Sequence, residues 1–124
     1  MTNDEGRTNS TFVIRPLSFV KTQMLKVISL LKRRDDMSRE EFYNWAMEHG
    51  ERGKNIPTLK QYRINVARLD EPEAAFDAIS EMWFDDVAAF DAGFATEVGK
   101  AAREDAMAHC SQRVHVRVEE NILK

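Results

Sequence analysis

The sequence is short of cysteine, proline and glycine, and it has no surplus of positive charge. Its single cysteine, Cys110, excludes an intrachain disulfide and a cysteine-based zinc finger, and suits a reducing cytoplasm. Three prolines and five glycines in 124 residues exclude a collagen-like, linker or low-complexity chain. Lysine and arginine number 18 against 21 aspartate and glutamate, a formal charge of −3. That balance gives no general attraction to nucleic acid or to an anionic membrane surface. Long apolar runs are missing too. In the first expected strand the uncharged stretch is only Val27–Leu31, between Lys26 and Lys32, far below the ~20 residues a spanning helix needs. The start carries Asp4 and Glu5, and its apolar stretch Phe12–Val20 is broken by Arg15 and Pro16, which does not read as an export signal. No GxGxxG, HExxH or Ser-His-Asp pattern appears, and Gly50–Lys54 lacks the spacing and the Ser or Thr of a phosphate loop.

What is present is enough for one domain, since 43% of the residues are hydrophobic. Residues 1–23 read as an N-terminal extension, either disordered or draped on a neighbour, or as leader upstream of a natural start at Met24. Residues 24–124 carry regular patterns. Met24–Arg33 is apolar on both alternating faces apart from Ser29, as a covered central strand would be. Ser38 to Glu41 form a capping box. Behind it, Phe42, Trp45, Ala46 and His49 make one inward helical stripe that ends near Gly50, Gly53 and Pro57.

Gln61–Leu69 alternates, with Tyr62, Ile64 and Val66 on one face. Asp77–Phe84 is a second strand, with Ser80, Met82 and Phe84 opposite Ile79, Glu81 and Trp83. Asp85 or Asp86 caps a helix through Val87, Phe90 and Phe94, and Thr96 caps a further alanine-rich stretch, Glu97–His109. Arg113–Glu120 alternates again, with three valines on one side and His115, Arg117 and Glu119 on the other. The order β-α-β-β-α-β specifies an α+β, ferredoxin-like protomer with helices on one face of a four-stranded antiparallel sheet. Ile79, Trp83 and one face of the first strand are then bare, and a second copy packing sheet to sheet would cover them, a homodimer.

The strand Met24–Arg33, the run Met37-Ser38-x-Glu40-x-Phe42, His49, Pro57-x-Leu59-x-x-Tyr62 and Glu81-x-Trp83-Phe84-Asp85 occur in this order. Together they resemble the EthD family of the dimeric α+β barrel superfamily, over about residues 24–122. The resemblance implies a two-sheet barrel dimer and usually no metal or organic cofactor. Functions in the family are diverse. The chain is distantly similar to the methylmuconolactone methylisomerase branch, which moves protons with two histidines, a tyrosine and a cysteine. His49 and Tyr62 match two of those positions. The cysteine position falls on Met82, and the loop Asp70–Phe76 has no histidine.

His49 is the first candidate catalytic residue, because an imidazole exchanges protons near neutrality. Its alternative role is a last-turn histidine favoured by the helix dipole. Tyr62 is the second, as a donor to a carbonyl or enolate oxygen, or else an ordinary strand aromatic. Trp45, Ile64, Met82 and Phe84 are the expected substrate-binding walls. Glu81 needs a cation, for which Arg63, Arg117 and His115 are the candidates. His109, Cys110 and His115 match no close-spaced metal pattern, so no metal is expected from them, and the resemblance implies no cofactor. The expected function is a cytoplasmic, cofactor-free enzyme that isomerises, cyclises or dehydrates a small apolar carbonyl or lactone compound. The alternatives are a non-catalytic ligand-binding or accessory dimer serving an ether-degrading monooxygenase system, and, third, haem oxidation.

Overall fold

The computed structural model describes residues 24–124. The expected extension, residues 1–23, lies outside the described residues. The elements are β1 (Leu25–Arg33), α1 (Arg39–Gly53), β2 (Leu59–Val66), β3 (Ala78–Phe84), α2 (Val87–Phe94), α3 (Glu97–His109) and β4 (Cys110–Val118). The four strands form one antiparallel sheet in the order β2-β3-β1-β4, the ferredoxin-like arrangement. Among the described residues no helix is long and apolar enough to cross a membrane.

Each helix starts where its sequence supplies a cap. Ser38 Oγ accepts the Glu41 N–H at 3.0 Å while the Glu41 carboxylate accepts the Ser38 N–H at 2.8 Å. Asp86 accepts from Ala89 N–H, and Thr96 from Gly99 N–H. The cap at Ser38 sets the phase of α1, so Phe42, Trp45, Ala46, His49 and Gly53 all turn inward. Phe42, Trp45 and Ala46 meet Leu31 and Ala78 on the sheet and Ala106 on α3 in one core cluster. Phe42 and Phe84 are fully buried, each stabilising the fold by about 1.5–3 kcal/mol. The corner between α2 and α3 depends on glycine. A Cβ on Gly99 would run into the Gly93 carbonyl oxygen and Phe94 Cα.

Two strands differ from expectation by more than one residue at their ends. β4 begins at Cys110 and not at Arg113, because α3 passes straight into the strand and Cys110 already pairs with Arg33 across a bulge. β2 spans Leu59–Val66 and stops before Leu69, although Ala67 N–H still donates to the Asp77 carbonyl at 2.9 Å.

The face of the sheet away from the helices carries Ile28 and Leu30 on β1, Ile79 and Trp83 on β3, and the β4 valines. Trp83 is not bare as expected. Lys26 Nζ lies 4.7 Å and the Arg63 guanidinium 5.0 Å from its ring, and its Nε1–H donates to Glu120. Long cationic stems from neighbouring strands thus cover it within its own chain. Ile79 and Val116 stay 38% and 45% exposed. Glu81 stands opposite Arg63 in the sheet register, with a 4.0 Å contact between the charges.

Candidate functional site

α1 and α3 cross over the sheet, and Asp105 of α3 is the point where their polar groups converge. His49 Nδ1 lies 2.8 Å from Asp105 Oδ2. Trp45 Nε1–H donates to both carboxylate oxygens at 3.2 Å, and Arg52 donates to Oδ2 at 2.6 Å. His109 Nδ1 sits 2.8 Å from the Asp105 backbone carbonyl and 3.2 Å from Oδ1, so that nitrogen also carries its proton. The Trp45 ring is stacked between the two imidazoles, 4.7 Å from His49 and 4.8 Å from His109. The His49 ring is therefore fixed by stacking on one side and by a charged acceptor at one nitrogen.

Two opposing effects act on His49. Burial disfavours the imidazolium, while the hydrogen bond and charge of Asp105 favour it; burial wins, and the pKa lies below its usual value. For Asp105 burial pulls the other way and would raise the carboxyl. The hydrogen bonds from His49, Arg52 and Trp45 together outweigh it and hold the group below the usual carboxylate range. At neutral pH the pair is thus a neutral imidazole donating Nδ1–H to a carboxylate. Nε2 keeps its lone pair and has no hydrogen-bond partner among the described residues.

His49 lines a cavity of about 410 Å³ between the helices and the sheet. Tyr62, Ile64 and Met82 line it as well, together with Val27, Leu31, Phe90 and Phe94. Tyr62 lies against α1 because Gly53 has no side chain; a Cβ there would come 3.3 Å from the Tyr62 ring. Burial pushes the Tyr62 phenol up to about 12, so it stays protonated and can donate. Two of the expected walls stand elsewhere. Trp45 lies behind His49 and faces Asp105, and Phe84 is sealed in the core with Phe90 edge-on at 5.2 Å. His109, Cys110 and His115 do not converge. His109 turns to Asp105, and His115 Nδ1 meets Ser29 Oγ at 2.7 Å.

Asp105, Arg52, Ser29 and the cavity-lining arginines 103 and 113 are polar groups to which the sequence assigned no site role, and His115 and Arg117, expected as candidate cations for Glu81, line the cavity on the opposite face of the sheet. For Asp105 a signal existed. It is an acid set among Ala102 and Ala106 on a helix whose small residues mark its packed side.

The EthD domain matches residues 34–110, well over half of the sequence. The chain belongs to the EthD family. An EthD family protein from Bacillus halodurans superposes with a TM-score of 0.66 at 25% identity, covering 79% of this chain and 99% of that one. A dimeric ferredoxin-like protein of unknown function from Bacteroides fragilis gives 0.65 at 20% identity, over 78% and 96%. The hydroxynitrile lyase from Passiflora edulis gives 0.65 at 14% identity, over 83% and 98%, a likeness of fold alone. Among curated proteins none matches the sequence. This EthD chain thus shares its architecture with dimeric proteins and with an enzyme.

Proposed function

We propose that this EthD-family protein is an enzyme that moves a proton on a small, mostly apolar carbonyl or lactone compound, with His49 as the base. The observation that carries the reading is the Nδ1 contact to Asp105, 2.8 Å long, on an imidazole that lines a largely apolar cavity. It fixes the tautomer and leaves Nε2 as the acceptor. Nε2 would remove a proton from the carbon next to the carbonyl, and the C–H electron pair would flow to the oxygen as an enolate. Tyr62 would donate a hydrogen bond to that oxygen. The imidazolium would be stabilised by Asp105 and would return its proton at a different atom. Returned to another carbon, the proton completes an isomerisation; delivered to a β-hydroxyl, it expels water. The apolar walls keep bulk water from competing.

The working unit is a homodimer in a reducing cytoplasm, with the partner covering Ile79 and Val116, and the single half-buried Cys110 fits that compartment. The test is α-proton exchange. A panel of lactones and cyclic ketones is incubated in D₂O and followed by NMR with the wild type, His49→Ala and His49→Gln. The wild type should catalyse exchange, and loss of the base should slow it by about 10²–10⁴-fold. Exchange that survives unchanged in His49→Ala defeats the mechanism. Binding without any exchange favours an accessory, ligand-holding role.

A further inference from the structure

A strand whose inner face meets helices normally sends its apolar residues inward. β4 does the reverse. Its register with β1 places Arg113 beside Leu31, His115 beside Ser29 and Arg117 beside Val27, all on the helix side. Val114, Val116 and Val118 fall on the outer face. Arg113, His115 and Arg117 line the cavity, and Arg103 of α3 joins them, while no aspartate or glutamate does. Arg103, His115 and Arg117 stand exposed along this wall, whereas Arg113 is half-buried, and a charge in that position is costly unless something pairs with it.

Nothing in the described residues does so. No carboxylate lies within 4.0 Å of Arg103, Arg113 or Arg117 among them. Arg113 Nε is buried without a hydrogen-bond partner. The other two guanidinium groups lie over the cavity's aromatic rings, Arg103 5.2 Å from Phe94 and Arg117 5.1 Å from Phe90. Stacking through the face leaves the N–H edges free for a ligand. Burial, Arg113 and Arg103 also depress the His115 pKa, so the positive field is felt there.

We propose that this wall is a carboxylate site, and that the substrate is an apolar molecule bearing one carboxylate at the end away from His49 and Tyr62. The inference rests on the proton-transfer reading only for the word substrate; the anion site itself does not. A guanidinium fork matches a carboxylate through two parallel hydrogen bonds, which a neutral amide cannot reproduce. Across the sheet, Arg117, Val27, Met82 and Tyr62 form one row. Three strand spacings of about 4.8 Å separate its ends by roughly 14 Å at the backbone. The side chains shorten that gap, leaving room for a ring or short chain between the two polar ends.

The test uses matched pairs, trans-cinnamate against cinnamamide and 3-phenylpropionate against its amide, by titration calorimetry. Both acids should bind the wild type about tenfold or more tightly than their amides, the scale of one charge-assisted hydrogen bond. Arg113→Met should reduce the preference, the triple Arg→Met variant at 103, 113 and 117 should abolish it, and Arg113→Lys should keep part of it. The same preference should persist in His49→Ala, where proton exchange is gone, so failure of the chemistry and failure of the anion site are told apart. Acids that bind no better than amides, or a preference that survives the triple variant, overturn the proposal.

Discussion

Asp105→Ala is the most informative single change, because its cost follows from counted contacts and needs no substrate. The carboxylate accepts from Trp45 Nε1, His49 Nδ1 and Arg52. Trp45 and His49 are each only 7% exposed, so both donors would be left without an acceptor inside the fold. A buried donor stranded in this way costs about 1–3 kcal/mol. Arg52, with 58% of its side chain exposed, contributes under about 1 kcal/mol because water replaces its partner. His109 keeps the Asp105 backbone carbonyl whatever the side chain is, so it adds little. Water entering the vacated space rescues part of the loss. The net expectation is about 2–4 kcal/mol, which for a domain near 100 residues lowers Tm by on the order of 10–25 °C.

Urea and thermal unfolding followed by circular dichroism read this directly, with Arg52→Ala as the control. A second readout separates a positioning role from bulk destabilisation. The Asp105 charge and hydrogen bond raise the His49 pKa against burial, so its removal should drive that pKa further down in an NMR titration. Asp105→Ala no less stable than Arg52→Ala, or a His49 pKa that rises in it, refutes the reasoning.

Acidification should weaken the protein. His49 and His115 both have folded-state pKa values below 6.5, so the unfolded chain binds more protons. Stability from this source is full above pH 6.5 and is lost as pH falls from that unfolded value through the depressed folded ones; urea midpoints that hold constant from pH 7 to 5.5 contradict this. Gly99→Ala should cost more than about 3 kcal/mol or prevent folding, since its Cβ meets backbone. Gly50→Ala, whose nearest neighbour is Ile64 Cδ1 at 3.6 Å, should be neutral or stabilise by up to ~1 kcal/mol; comparable melting losses in both would be the wrong outcome. Val116→Asp should shift sedimentation from dimer to monomer without altering the circular dichroism spectrum, and an unchanged dimer mass removes the outer sheet face as the interface.

Local chemistry made most of the fold legible. Ser38, Asp86 and Thr96 are N-caps in the sequence and N-caps in the structure, because a hydroxyl or carboxylate in that position has an orphan N–H to accept from whatever surrounds it. The stripe from Phe42 to His49 was readable for the same reason: helical phase is fixed once the cap is fixed. The start of β4 was less so. No breaker stands between His109 and Cys110, and the strand is defined there by pairing with Arg33. The partner of His49 was also hidden. Asp105 is 56 residues away, and only the crossing of α1 and α3 brings the two together.

Strand alternation states that two faces differ, but not which one turns inward. For β4 the usual rule would bury the valines, and the pairing of Ser29 with His115 decides against it. That single choice has two consequences. It leaves Val116 beside the outer face of β1, on the sheet surface that also carries Ile79, and it turns Arg113 and Arg117 towards the inner cavity where valines would otherwise stand. With the opposite register β4 would have added valines to the cavity and Arg113, His115 and Arg117 to the outer face. The proposed dimer face and the proposed anion site therefore lie on the two sides of one inverted strand, and Val116→Asp and Arg113→Met probe those sides independently.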